Sequence, residues 1–132
     1  MSELHLLDTS ALFTLLEDEA GTERVASLLR DEVTLIPWLC LVELHYVSQQ
    51  ERGLSEADER YALVRATKAE IIWEASEGVL LSASSFKARH KLSLADALIA
   101  AFAAERGATL VHKDPEYEEL SAEVRLEALP YK

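Results

Sequence analysis

Cysteine is all but missing from this 132-residue chain: Cys40 stands alone, so no disulfide can form within it. A single unpaired thiol suits a reducing compartment, and a cytoplasmic location is the expectation. Glycine and proline are scarce, at four and three residues, and no repeat, linker or low-complexity tract is present. No apolar run approaches the roughly 18–20 residues that span a bilayer. The opening Met1-Ser2-Glu3-Leu4-His5 lacks the charged and apolar regions of a secretory signal. Positive charge is the last shortage. Lys and Arg number 13 against 24 Asp and Glu, for a net charge of −11. Such a chain repels nucleic acid on average. A site of clustered carboxylates is the exception, because a bound divalent cation inverts the local sign.

What is present is apolar: 49% of the residues are hydrophobic, enough to bury a core without disulfides or metals. The length fits one domain over residues 1–132. Periodicity and punctuation predict strands over 3–7, 33–36, 70–73, 109–112 and near 124–126. They predict helices over 8–17, 22–30, 38–50, 55–67, 77–90 and 93–106, the last closed by Gly107, and a helical turn over 115–120. Strands alternating with helices imply parallel crossovers. The expected fold is therefore α/β: a three-layer α/β/α sandwich around a central, mainly parallel sheet. Ligands of such sheets bind beyond the carboxyl ends of the strands.

Four acids fall where that rule matters. Asp8 directly follows the first strand; it would also serve as an N-cap. Asp114 follows the fourth strand and precedes Pro115, where Asp-Pro starts turns. Glu43 shares a helix face with Leu39, Tyr46 and Val47, a stripe expected to face inward, and buried charges are rare unless paired or metal-bound. Asp96 lies three residues after Ser93 in a capping-box arrangement, on a helix otherwise almost wholly apolar. Singly each acid has a structural explanation. Together they converge on one rim, and carboxylate oxygens are the ligands hard cations prefer.

The surrounding residues resemble the motifs of PIN domains. Leu7-Asp8-Thr9-Ser10-Ala11-Leu12 resembles the opening motif and Leu41-Val42-Glu43-Leu44 the second. Leu94-Ala95-Asp96-Ala97-Leu98-Ile99-Ala100-Ala101 resembles the third, and Gly107 through Asp114 the fourth. The compact size is similar to that of the VapC toxins of toxin–antitoxin pairs. The resemblance implies a Mg²⁺- or Mn²⁺-dependent ribonuclease acting on cellular RNA such as tRNA or rRNA, with a 5′-phosphate and a 3′-hydroxyl as products. It implies Asp8, Glu43, Asp96 and Asp114 as catalytic and metal-binding residues, with Ser10 in support. It also implies a homodimer silenced by a cognate antitoxin.

His112 departs from the pattern, standing where the family commonly has Thr or Ser. It is a candidate for substrate phosphate, or else a cap on the strand end. Lys87, Arg89 and Lys91 cluster before the Asp96 helix and could hold RNA backbone; a solvated helix end explains them equally. Thr9 and Cys40 read as structural, as do His5 and His45, and Trp38 and Trp73 as core or dimer contacts rather than base-stacking platforms. Two other classes stay open: a catalytically inert PIN-fold module that binds RNA or protein, and a haloacid-dehalogenase-like phosphatase. The second needs another Asp two residues after the first, where this chain has Ser10.

Overall fold

The computed structural model describes residues 3–132. Its elements are β1 (His5–Leu7), α1 (Thr9–Leu16), α2 (Thr22–Asp31), β2 (Thr34–Pro37), α3 (Trp38–Arg52), α4 (Leu54–Arg65) and β3 (Glu70–Ile72). They continue with α5 (Glu77–Arg89), α6 (Leu94–Arg106), β4 (Thr109–His112), a 3₁₀ helix (Pro115–Leu120) and β5 (Leu126–Ala128). The elements follow the predicted order and type. The last strand begins two residues later than expected.

Among the described residues the five strands form one sheet in the order β3-β2-β1-β4-β5, every pair parallel. The chain builds outward from β1 to β3, then returns to the other side of β1 for β4 and β5. Right-handed crossovers place the helices of the two halves on opposite faces, giving the three layers. The reversal also leaves a crevice between the carboxyl ends of β1 and β4. β1 sits at the centre, with His5 opposite Thr34 on one side and Thr109 on the other. Its three residues are buried, as are all of β2 and β4, so these strands read as short continuous apolar runs.

Local signals set the helix ends. Asp8 caps α1 by accepting the Ala11 N–H at 2.8 Å. Ser93 caps α6 by accepting the Asp96 N–H at 3.1 Å. Gly107 ends α6 in the left-handed region at φ 61°, a conformation in which glycine escapes the Cβ clash. From Ala97 to Ala103 α6 is buried almost all round, with Ile99, Ala100, Ala101, Phe102 and Ala103 in the core, and its last turn is exposed.

α3 differs from the expected orientation. Leu39, Cys40, Leu41, Leu44 and Ser48 face inward, while Tyr46 is 46% exposed and Glu43 half-buried. The helix buries the ridge 40/44/48, and Glu43 stands at its edge. Trp38 and Trp73, 41% and 55% exposed, are not core residues. Cys40 is fully buried, as expected. His5 is buried in β1, and His45 pairs with Asp58 at 2.8 Å. Among the described residues no helix is long and apolar enough to cross a membrane.

Candidate metal centre

Each strand that ends beside the crevice delivers an acid into it. The Asp8 N–H donates to the Val111 carbonyl at 3.2 Å, continuing the β1–β4 ladder past its last pair. That bond fixes where Asp8 leaves the sheet. Its side chain is 3% exposed. Ser10 ties the two strand ends together: its hydroxyl donates to Asp8 Oδ1 at 2.6 Å and accepts the Lys113 N–H at 2.9 Å. Asp8 therefore caps α1 and also sits buried in the crevice.

Burial pushes the Asp8 carboxyl up to about 7, and the neighbouring Asp96 and Asp114 charges push the same way. The Ser10 and Ala11 hydrogen bonds pull against this and do not overcome it. Asp96, in the first turn of α6, is pushed up to about 6, first by burial and then by the Asp114 and Glu43 charges, against the Tyr117 hydroxyl that donates to its Oδ1 at 3.0 Å. Asp114 caps the 3₁₀ helix, its Oδ1 accepting the Glu116 N–H at 2.9 Å. Carboxylate oxygens of Asp96, Asp114 and Glu116 all lie within 4.8 Å of one another. Glu43 is held by the Thr9 hydroxyl, which donates to Oε1 at 2.6 Å.

Among the described residues no cation offsets this charge: neither Lys nor Arg pairs with Asp8, Asp96 or Asp114. Lys113, next in sequence to Asp114, turns away to the Ala20 carbonyl at 2.8 Å and Glu19 at 3.4 Å. Hard oxygens gathered in such a crevice are a donor set that could hold a divalent cation. The buried Cys40 thiol below the site, raised by burial and by the Asp8 charge, is a poor ligand. A cleft of about 510 Å³ opens beside Ser10 and Asp114, walled by Phe13, Glu19 and Tyr131.

Not every candidate from the sequence reaches this site. His112 is fully buried, and its Nδ1 accepts the Asp114 N–H at 3.1 Å. It caps the strand end and has no surface to offer a phosphate. Arg89 is engaged by Glu123 at 2.7 Å and Ser85 at 3.0 Å, which docks α5 against the segment after the 3₁₀ helix. Lys87 and Lys91 are exposed, without an ion pair among the described residues. Sequence reasoning missed Glu116 and Tyr117 and took Thr9 as only structural. Their positions, two and three residues after Asp114 and one after Asp8, were the available signal.

Acids gathered where the strand order of a parallel sheet reverses define a class of protein: an α/β fold that collects carboxylates at its switch point. The chain belongs to the PIN domain family, whose model matches residues 5–123. No curated protein sequence matches it. Among solved structures it is similar to VapBC2 from Rickettsia felis bound to a DNA fragment from its promoter, at 17% identity and TM-score 0.79, covering 96% of this chain and 99% of that one. VapBC-1 from nontypeable Haemophilus influenzae is similar at 16% identity and TM-score 0.75, covering 95% and 97%. VapC20 of Mycobacterium tuberculosis, a Sarcin-Ricin loop cleaving toxin, is similar at 18% identity and TM-score 0.74, covering 97% and 100%. At such identities the likeness is one of fold.

Proposed function

We propose that this chain, acting as a single domain over residues 1–132, is a metal-dependent endoribonuclease and the toxin of a toxin–antitoxin pair. The observation that carries the reading is Asp8: a carboxyl 3% exposed, close enough to Asp96 and Asp114 to feel their charges, with no cation beside it among the described residues. Carboxylates are seldom buried that way unless they take up a proton, gain a partner or bind a metal, and a second carboxylate close by favours the metal. The structural likeness to VapBC complexes and to VapC20 supports the toxin role and the antitoxin partner.

Asp8, Asp96 and Asp114 would hold Mg²⁺ or Mn²⁺, with Glu43 as a further ligand or as the acceptor for a water, and Glu116 at the outer edge. Such a cation supplies Lewis-acid charge for the scissile phosphate and lowers the pKa of the attacking water. Ser10 locks the Asp8 rotamer by donating to it, and Thr9 does the same for Glu43. The exposed Lys87 and Lys91 would draw in the RNA backbone, with Arg89 behind them fixing the helix that carries Lys87. The products would bear a 5′-phosphate and a 3′-hydroxyl, and tRNA or rRNA would be the substrate. A homodimer would bring the lysines of two subunits to one RNA.

Purified protein incubated with RNA in Mn²⁺, in Mg²⁺ and in EDTA tests the reading. Cleavage that needs the cation and disappears in Asp96→Asn is expected. RNA bound but left intact under every condition would overturn it in favour of an inert binding module.

A further inference from the structure

Asp96 and Asp114 reach the crevice from different elements, α6 and the turn after β4. Tyr117 spans them. It lies in the 3₁₀ helix that Asp114 caps, and its hydroxyl donates to Asp96 Oδ1 at 3.0 Å. Its ring is fully buried and meets the His112 ring edge-on, with centroids 5.0 Å apart and planes at 63°. His112 is fully buried too, and its Nδ1 accepts the Asp114 N–H at 3.1 Å, which puts the ring proton on Nε2. A continuous path of one hydrogen bond, one ring contact and another hydrogen bond thus joins the two acids. The Tyr117 and His112 rings are both sealed from solvent, so neither can touch a substrate.

We propose that Tyr117, seated on His112, is a positioning residue that holds the Asp96 carboxylate at the separation from Asp114 that a divalent cation needs. The close-packed interior allows the Tyr117 ring little rotation, so its hydroxyl is a fixed anchor. By taking Asp96 Oδ1 it leaves the second oxygen of that carboxylate for the cation. Partners that orient a ligand from outside its first shell commonly set metal affinity. The inference rests on the metal-site reading above and adds the residue that sets its geometry.

Tyr117→Phe removes one oxygen and keeps the ring. Mn²⁺ is titrated calorimetrically into wild type, Tyr117→Phe, Tyr117→Leu and Asp96→Asn, with melts in EDTA alongside. The Phe variant should melt close to wild type in EDTA yet bind Mn²⁺ roughly tenfold more weakly. Wild-type affinity in the Phe variant, with loss confined to a destabilised Leu variant, would assign Tyr117 to packing alone and overturn the proposal. Asp96→Asn reports on the underlying site: Mn²⁺ bound as tightly as by wild type would show that the site itself is misassigned, a different failure. Wild-type protein labelled with 3-fluorotyrosine gives an independent reading. The Tyr117 fluorine signal should shift when Mg²⁺ binds, and a signal indifferent to bound Mg²⁺ also overturns the proposal.

Discussion

Replacing Asp8 by Asn should make the metal-free protein more stable at pH 8, although it removes a helix cap's charge and a proposed metal ligand. Burial raises the Asp8 carboxyl from 3.8 to about 7, so between those pH values the folded state holds a proton that the unfolded chain has released, and at pH 8 it carries a buried charge instead. For an acid shifted upward the sign is clear. Its contribution favours folding below about pH 4, fades as pH rises, and is gone above about pH 7. The gap corresponds to about 4 kcal/mol against the ionised form at pH 8. The Asn amide oxygen can still accept from the Ser10 hydroxyl and the Ala11 N–H, though a neutral acceptor is weaker by about 1 kcal/mol. A net gain of about 3 kcal/mol remains, or roughly 9 °C in melting temperature for a chain of this size. Thermal melts of both proteins in EDTA between pH 4.5 and 8 measure it, and the advantage of the variant should shrink steadily toward the acid end. An Asn variant that melts below wild type at pH 8 would show that Asp8 is chiefly a helix cap and would refute the argument.

Three further outcomes are expected. Mn²⁺ at a hundred times its dissociation constant should raise wild-type stability by about 2.7 kcal/mol, and Asp96→Asn should lose most of that rise; equal shifts in both melts would contradict the site. Ser10→Ala breaks the link between Asp8 and the Lys113 N–H, so it should cost about 1–2 kcal/mol in EDTA melts and lower cleavage at least tenfold. In an Asp96→Asn background that binds RNA without cutting it, Lys87→Gln with Lys91→Gln should weaken binding and flatten its salt dependence, each lost phosphate contact reducing the slope by about 0.7 for a single strand; an unchanged slope would place the RNA elsewhere.

The sheet and the rim were legible because they rest on local signals. Short apolar runs ending at Asp8 and Asp114 mark strand ends, Ser93 and Gly107 mark the limits of α6, and the alternation of elements dictates parallel strands. The face of α3 was not legible. Leu39, Glu43, Tyr46 and Val47 make as regular a stripe as Cys40, Leu44 and Ser48, and only the sheet beneath decides between them. Trp38 and Trp73 look like core by composition, yet both follow the ends of edge-ward strands where little covers them. Tyr117 was hidden for the opposite reason. Pro115-Glu-Tyr-Glu-Glu-Leu120 reads as a solvated turn, and nothing local distinguishes a ring that α6 and β4 enclose. His112 likewise looked like a residue facing the site until its Nδ1 was seen turned back to the chain.

The central position of β1 has a consequence for when the protein becomes able to act. β1 is made before its partner β4, with six helices and two strands between them, and His5 waits for Thr109 to complete the pairing. Asp8 and Asp114 therefore meet only after both intervening helical layers exist, and contacts so distant along the chain form late. A partly synthesised chain on the ribosome carries every residue of the first two motifs and still has no crevice. If the product is an enzyme that cuts the RNA of its own cell, its topology delays the hazard until β4 and the turn after it have emerged, leaving time for an inhibitory partner to be at hand.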